Sequence, residues 1–86
     1  MLDRPPTPAE AEALLVQALE GLGGAGERNR IIRAATNLGE FSDPVRRMQS
    51  GKRSRLENDF GHALSRLSRK GVADTDGSGW WTLSRG

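Results

Sequence analysis

The sequence predicts a small α+β domain, mostly helical, ending in a β-hairpin. Three observations carry this. Apolar residues recur at helical spacing in several separate stretches. Glycine and proline fall between those stretches, where helices stop and start. The last stretch, after Gly71, loses the helical period and carries a double tryptophan beside a turn-rich run. At 86 residues the chain is one domain. A chain of this size buries only about 60–65% of its unfolded surface, so a stability on the order of 5 kcal/mol is expected.

Residues 1–7 hold Pro5 and Pro6 and show no periodicity, so they are expected to form a flexible arm before a single domain over 8–86. Thr7-Pro8-Ala9-Glu10 is a helix start. Thr7 can cap, Pro8 suits the first helical position and Glu10 completes a capping box. Ala11, Leu14, Leu15, Ala18, Leu19 and Leu22 then form an apolar stripe, giving a first helix over about 8–22. Glu12 and Glu20 fall on its polar side, expected to be an exposed acidic face turned away from any polyanion.

Gly21-Leu22-Gly23-Gly24-Ala25-Gly26 matches the letters G-x-G-x-x-G. The dinucleotide fingerprint needs a strand before it and a βαβ unit around it, whereas here a helix precedes it. The glycines are expected to end the first helix and make a loose connection. Gly51-Lys52 is not a phosphate loop, because Arg46 stands where its first glycine belongs. Asp74-Thr75-Asp76-Gly77 opens like a calcium loop but lacks the later ligands and the closing glutamate.

A second helix is expected over Glu27–Leu38, with Ile31, Ile32, Ala35 and Leu38 inward and Gly39 closing it. Phe41 should plug the core beside it. Asp43-Pro44 reads as a cap and a first-turn proline for a short helix over about 44–49. Val45 and Met48 would be its buried pair, and Arg46 and Arg47 its exposed pair. Ser50-Gly51-Lys52-Arg53 reads as a basic loop leading into the next helix.

That helix, over about 54–70, organises the rest. At 100° per residue, Phe60, Ala63, Leu64 and Leu67 fall within about 80° of Leu56, the stripe of a half-buried helix. Asn58, His62, Ser65 and Arg69 occupy the opposite face, with Arg55 at its edge. A polar face opposite a core stripe is ordinarily just solvated. The segment C-terminal to this helix gives that face a second meaning. Gly71 is placed for a left-handed residue after the helix. Val72–Asp74 and Trp80–Leu83 read as strands around the turn Thr75-Asp76-Gly77-Ser78-Gly79. Alternation puts Trp81 and Leu83 on one face and Trp80 and Thr82 on the other. Leu83 is the strand's aliphatic residue, so its face should cover the core and Trp80 should point away. A basic helix joined directly to such a hairpin is the layout of a winged helix-turn-helix, with a recognition helix and a wing over 72–83.

Charge follows the same division. Residues 1–43 carry a net −3 and residues 44–86 a net +5. A basic half of this kind is the footprint of a polyanion-binding face. Arg55, Asn58, His62, Ser65 and Arg69 are candidates for base or phosphate contact, and Trp80 for contact from the wing. Lys52, Arg53, Arg66 and Lys70 are candidates for holding phosphates. Asparagine suits adenine and arginine suits guanine by bidentate geometry.

Several elements together resemble the Mrr N-terminal type of winged helix found in restriction endonucleases. They are the second helix ending in leucine, the Ser50-Gly51-Lys52 loop, Asn58-Asp59-Phe60-Gly61-His62-Ala63-Leu64, Leu67-Ser68-Arg69-Lys70-Gly71-Val72, and Trp81-Thr82-Leu83-Ser84-Arg85-Gly86. The resemblance covers about residues 8–86. It implies a module that reads double-stranded DNA beside a separate nuclease domain, often in systems that cut modified DNA. Asn58, His62, Ser65 and Arg69 would then lie towards the major groove, and the wing on the backbone or minor groove. Methylated DNA becomes a candidate ligand, with Trp80 offering an apolar or stacking surface. Two features depart from the pattern. The double tryptophan is heavier than the usual single aromatic, and Gly61 sits inside the recognition helix at about 1 kcal/mol relative to alanine. Close approach of a partner would justify that glycine; so would tight packing on the second helix.

No catalytic constellation is expected in this chain. It has one histidine and no cysteine, so neither a thiolate nor a zinc cluster is available, and no second histidine could serve a serine as base. No cofactor or metal is expected. No run is apolar enough to span a membrane and no signal-peptide pattern opens the chain, so a cytoplasmic protein is the default expectation. Two other readings stay open. A transcription regulator of the same fold would dimerise through long extra helices, which the sequence does not supply. A protein-interaction winged helix would show no salt-dependent DNA binding.

Overall fold

A computed structural model of the chain describes residues 2–84. The order is α1 (Pro8–Gly21), β1 (Ala25–Glu27), α2 (Arg28–Gly39), α3 (Asp43–Arg46), β2 (Gln49–Ser50), β3 (Arg53–Ser54), α4 (Arg55–Arg69), β4 (Ala73–Thr75) and β5 (Trp80–Leu83). The fold is a small α+β unit in which α1, α2 and α4 pack together beside an antiparallel sheet. Among the described residues, no helix is long and apolar enough to cross a membrane.

Helix α1 begins as its sequence dictates. Thr7 Oγ1 accepts from the Glu10 amide at 3.2 Å and Glu10 Oε1 accepts from the Thr7 amide at 2.9 Å, closing the capping box. Ala11, Leu15, Ala18 and Leu19 are buried, while Leu14 and Leu22 pack at the edge of the core. The segment expected as a free arm makes defined contacts. Leu2 donates to the Glu40 carbonyl and accepts from the Ser42 amide, and Arg4 pairs with Glu10 at 2.6 Å. Met1, Arg85 and Gly86 lie outside the described residues, and with them the ends of the expected arm and of the closing motif.

The glycine run after α1 is more ordered than a loose connection. Gly23 and Gly24 take φ +87° and +93° and turn the chain, and Ala25–Glu27 then pairs antiparallel with β5. The sheet order is β1-β5-β4, with Gly26 opposite Trp81 and Ala73 opposite Leu83. The second helix accordingly starts at Arg28, one residue later than expected.

Its other end also differs. The left-handed residue is Glu40, at φ +49°, while Gly39 remains helical. Leu38, expected inward, is 48% exposed. Phe41 fills the core as expected and meets Phe60 edge-on, centroids 6.2 Å apart. The third helix is a single turn. Ser42 stands at its cap and Asp43 within its first turn, so the cap lies one residue earlier than Asp43. Val45 is fully buried, but Met48 falls beyond the helix and is 38% exposed. The basic loop is a miniature hairpin: Gln49 pairs with Ser54 and Ser50 with Arg53. Gly51, at φ +64°, opens its two-residue turn, where a type II′ geometry calls for glycine.

Helix α4 buries Leu56, Phe60, Ala63, Leu64 and Leu67, the stripe read from the sequence. Ser54 is its cap rather than its first residue; its Oγ accepts from the Glu57 amide at 3.0 Å. The helix ends in a Schellman motif. The Gly71 amide donates to Ser68 O at 3.1 Å and the Val72 amide to Leu67 O at 2.9 Å, with Gly71 at φ +75°. Strand β4 therefore begins at Ala73, not Val72. Trp81 is buried and Leu83 packs against the core, while Trp80 faces out, as alternation required.

Candidate nucleic-acid interface

Helical spacing aligns Asn58, His62, Ser65 and Arg69 along the side of α4 turned from its apolar stripe. His62, Ser65 and Arg69 are exposed and Asn58 is half-buried. The β2–β3 hairpin holds Lys52 and Arg53 beside the start of this helix, both exposed. No carboxylate pairs with Lys52, Arg53 or Arg69 among the described residues.

Asn58, His62 and Ser65 of this row, but not Arg69, line a cleft of about 230 Å³ together with Arg28, Arg53, Gly61 and Trp81. Arg53, Asn58, His62 and Ser65 are candidates that the sequence singles out; Arg28 and Trp81 are not. Arg28 is the first residue of α2. Its amide donates to the Gly79 carbonyl at 2.7 Å, tying it to the turn before β5. Its side chain lies across α4 at Gly61. A Cβ on Gly61 would stand 2.6 Å from Arg28 Nη2, closer than any real contact. Of the two justifications for a glycine at that point, packing from the second helix is the one observed. No carboxylate lines the cleft.

The other basic residues of α4 are engaged. Glu12 of α1, expected on an exposed acidic face, has a side chain only 12% exposed and accepts from both Arg66 Nε (3.3 Å) and Lys70 Nζ (2.6 Å). The hydrogen bond from Lys70, and after it that from Arg66, hold the Glu12 carboxyl below the usual carboxylate range against the opposing effect of burial. Arg66 and Lys70, expected to hold phosphates, tie the C-terminal end of α4 to α1 through Glu12. Arg55 makes an i, i+4 pair with Asp59 at 3.1 Å.

Trp80 stands apart from the helix row. It is 50% exposed and lies opposite Glu27 on the outer face of the sheet. It lines a different cleft, of about 400 Å³, with Gly21, Leu22, Ala25, Gly26, Glu27 and Arg30. Its neighbour Trp81, on the inner face, is the one that reaches the α4 cleft. The turn between β4 and β5 is held by its own side chains. Thr75 Oγ1 donates to the Trp80 carbonyl at 2.9 Å and accepts from the Gly77 amide at 3.2 Å. Asp76 accepts from the Ser78 hydroxyl and amide, which hold its carboxyl below the usual range.

A wider cleft of about 510 Å³ lies between α2 and the start of α4, lined by Asn29, Arg33, Thr36, Arg46 and Glu57 among others. It contains none of the candidate residues read from the sequence. Among the described residues, no group of three or more His, Cys, Asp or Glu side chains is placed to hold a metal ion.

The site thus falls into several parts, with Arg55 held by Asp59 and lining a further cleft of about 220 Å³ with His62 and Arg66. Lys52, Arg53, Asn58, His62, Ser65 and Arg69 form one basic, donor-rich surface, joined by Arg28. Arg66 and Lys70 face α1. Trp80 occupies the far side of the sheet. Comparison with protein-family models, with curated proteins and with solved structures finds no match.

Proposed function

We propose that this chain is a winged-helix module that binds double-stranded DNA, with α4 entering the major groove and the β4–β5 hairpin acting as the wing. One observation carries the reading: polar and cationic side chains without a carboxylate partner among the described residues line one face of α4 and the cleft beside it. Asn58, His62, Ser65 and Arg69 share a helix face, Arg28, Arg53 and Lys52 flank it, and the cleft among them has no carboxylate lining. Such a surface suits phosphate oxygens and the acceptor-rich edges of the major groove. The element order supports the winged-helix part of the proposal, since the hairpin comes directly after α4 and β1 completes the sheet as β1-β5-β4.

The resemblance to the Mrr N-terminal type extends the proposal. The module would serve as the specificity domain of a restriction-type endonuclease, with cleavage in a separate domain and methylated DNA as a ligand.

Fluorescence anisotropy on plain, adenine-methylated and cytosine-methylated duplexes across a salt series tests both steps. DNA binding predicts an affinity that falls with salt at a slope of several phosphates. Absence of binding at low salt overturns the reading. A preference for one methylated duplex supports the modification-reading extension, and equal affinity for all three removes it.

A further inference from the structure

We propose that Arg28 anchors a DNA backbone phosphate, and that Gly61 is present in α4 to seat it. The inference rests on the proposed DNA binding and assigns a role to two residues which that function does not by itself require.

Arg28 starts α2, yet its guanidinium lies over the middle of α4. Among the described residues its side chain has no carboxylate partner and no hydrogen-bond acceptor. Its surroundings offer polar and cationic groups: Arg53, Asn58 and His62 line the same cleft, with Ser65, whose hydroxyl donates to the Gly61 carbonyl at 3.4 Å. A half-buried guanidinium ordinarily seeks an anion. Here the protein supplies none and gathers further positive and donor groups around it. A phosphate group, with several acceptor oxygens, matches that set and the fork of the guanidinium.

The approach is permitted by one missing methyl group. Any Cβ at Gly61 would collide with Nη2 at 2.6 Å. The colliding atom is the far end of a flexible side chain, so Gly61→Ala can be accommodated by swinging Arg28 away, with no disturbance of the core. Alanine would also favour the helix itself. A glycine in mid-helix that helix formation disfavours, and that folding does not require, is accounted for by the side chain it admits. The hydrogen bond that the Arg28 backbone amide donates to the Gly79 carbonyl ties the same residue to the hairpin, so the anchor is set between recognition helix and wing.

The test uses anisotropy on a short duplex across a salt series, with a thermal melt of each variant. Arg28→Ala is expected to weaken binding about ten-fold and to lower the salt slope by about one. Arg28→Lys, which keeps the charge but not the fork, should fall between it and the wild type. Gly61→Ala should weaken binding similarly while its melting temperature stays equal or rises. In an Arg28→Ala background Gly61→Ala should cost nothing further. Arg30→Ala, which removes the same charge from the Trp80 cleft, should stay within about two-fold of wild type. Wild-type affinity in Arg28→Ala, with the wild type binding DNA, overturns the anchor alone. An undiminished effect of Gly61→Ala in the Arg28→Ala background overturns the seating role. No binding by the wild type at low salt overturns the DNA reading and the anchor together.

Discussion

The ring of Phe41 lies where a side chain on Gly39 would be. A Cβ there would overlap Phe41 Cε2 and stand 2.6 Å from Cζ. Gly39 is helical with an ordinary φ, so it is space rather than backbone conformation that calls for glycine. Phe41 cannot yield, because it is buried and packs edge-on against Phe60 of α4. Gly39→Ala should therefore destabilise the fold by about 1–3 kcal/mol, the range for overpacking a core. Urea midpoints would measure it. In a Phe41→Leu background the penalty should shrink, because the two changes share one volume. An equal penalty in both backgrounds would remove Phe41 as the cause.

Glu12 sets the acid sensitivity of the α1–α4 contact. Its carboxyl is held below the ordinary 4.5 by the hydrogen bonds from Lys70 and then Arg66. Glu10, paired with Arg4 and capping α1, is lowered to about 2. Both carboxyls have a lower pKa folded than unfolded. Their contribution is thus complete above about 4.5 and is lost as pH falls through each folded value. Glu12→Gln should be less stable than wild type at pH 7, and the difference should narrow as pH drops below about 4.5. Thermal melts from pH 7 to pH 2.5 would track it. A constant gap across that range would show that Glu12 contributes by packing alone.

Elements whose determinants are local were legible in the sequence. The Thr7–Glu10 capping box, the Gly71 Schellman motif and the alternation of Trp80 and Trp81 each need only a few neighbouring residues, and each is present. Strand β1 was not legible, because Ala25-Gly26-Glu27 has little strand preference of its own. It is a strand because β5 offers it an edge. Glu12 read as exposed because its partners, Arg66 and Lys70, come from the far end of the chain. Leu38 and Met48 fit a local apolar period but lie where the core runs out. The candidate site divides in the same way. The row Asn58, His62, Ser65 and Arg69 is set by the helical period, whereas Arg28 and Trp81 join it only through α2 and the sheet.

The two adjacent tryptophans should separate cleanly. Trp81 is 8% exposed and faces the core, so Trp81→Ala should cost about 3–5 kcal/mol, comparable with the whole stability of a domain this size. Trp80 is on the outer face, and Trp80→Ala should change stability by no more than about 0.5 kcal/mol. Chemical denaturation would distinguish them. Acrylamide should quench the emission of Trp81→Phe, which retains Trp80, more strongly than that of Trp80→Phe. Equal quenching would contradict the assignment of the two faces.

Arg66 and Arg69 differ in consequence although both lie in the last turns of α4. Arg69 is exposed with no carboxylate partner among the described residues, on the face with Asn58 and His62. Arg66 is spent on Glu12. On the DNA reading, Arg69→Ala should weaken duplex binding, lower the salt slope by about one and leave the melting temperature unchanged. Arg66→Ala should do the reverse. It should lower stability by up to about 1 kcal/mol, the usual limit for a partly exposed pair. It should also leave the salt slope near the wild-type value, because Arg66 is turned to Glu12 on α1 and lies off the helix face that carries Asn58 and Arg69. Anisotropy over a salt series, paired with melts of both variants, reads the two effects separately. Equal losses of slope would mean that the Glu12 pairs open when DNA binds, and that α4 presents two basic faces to the duplex rather than one.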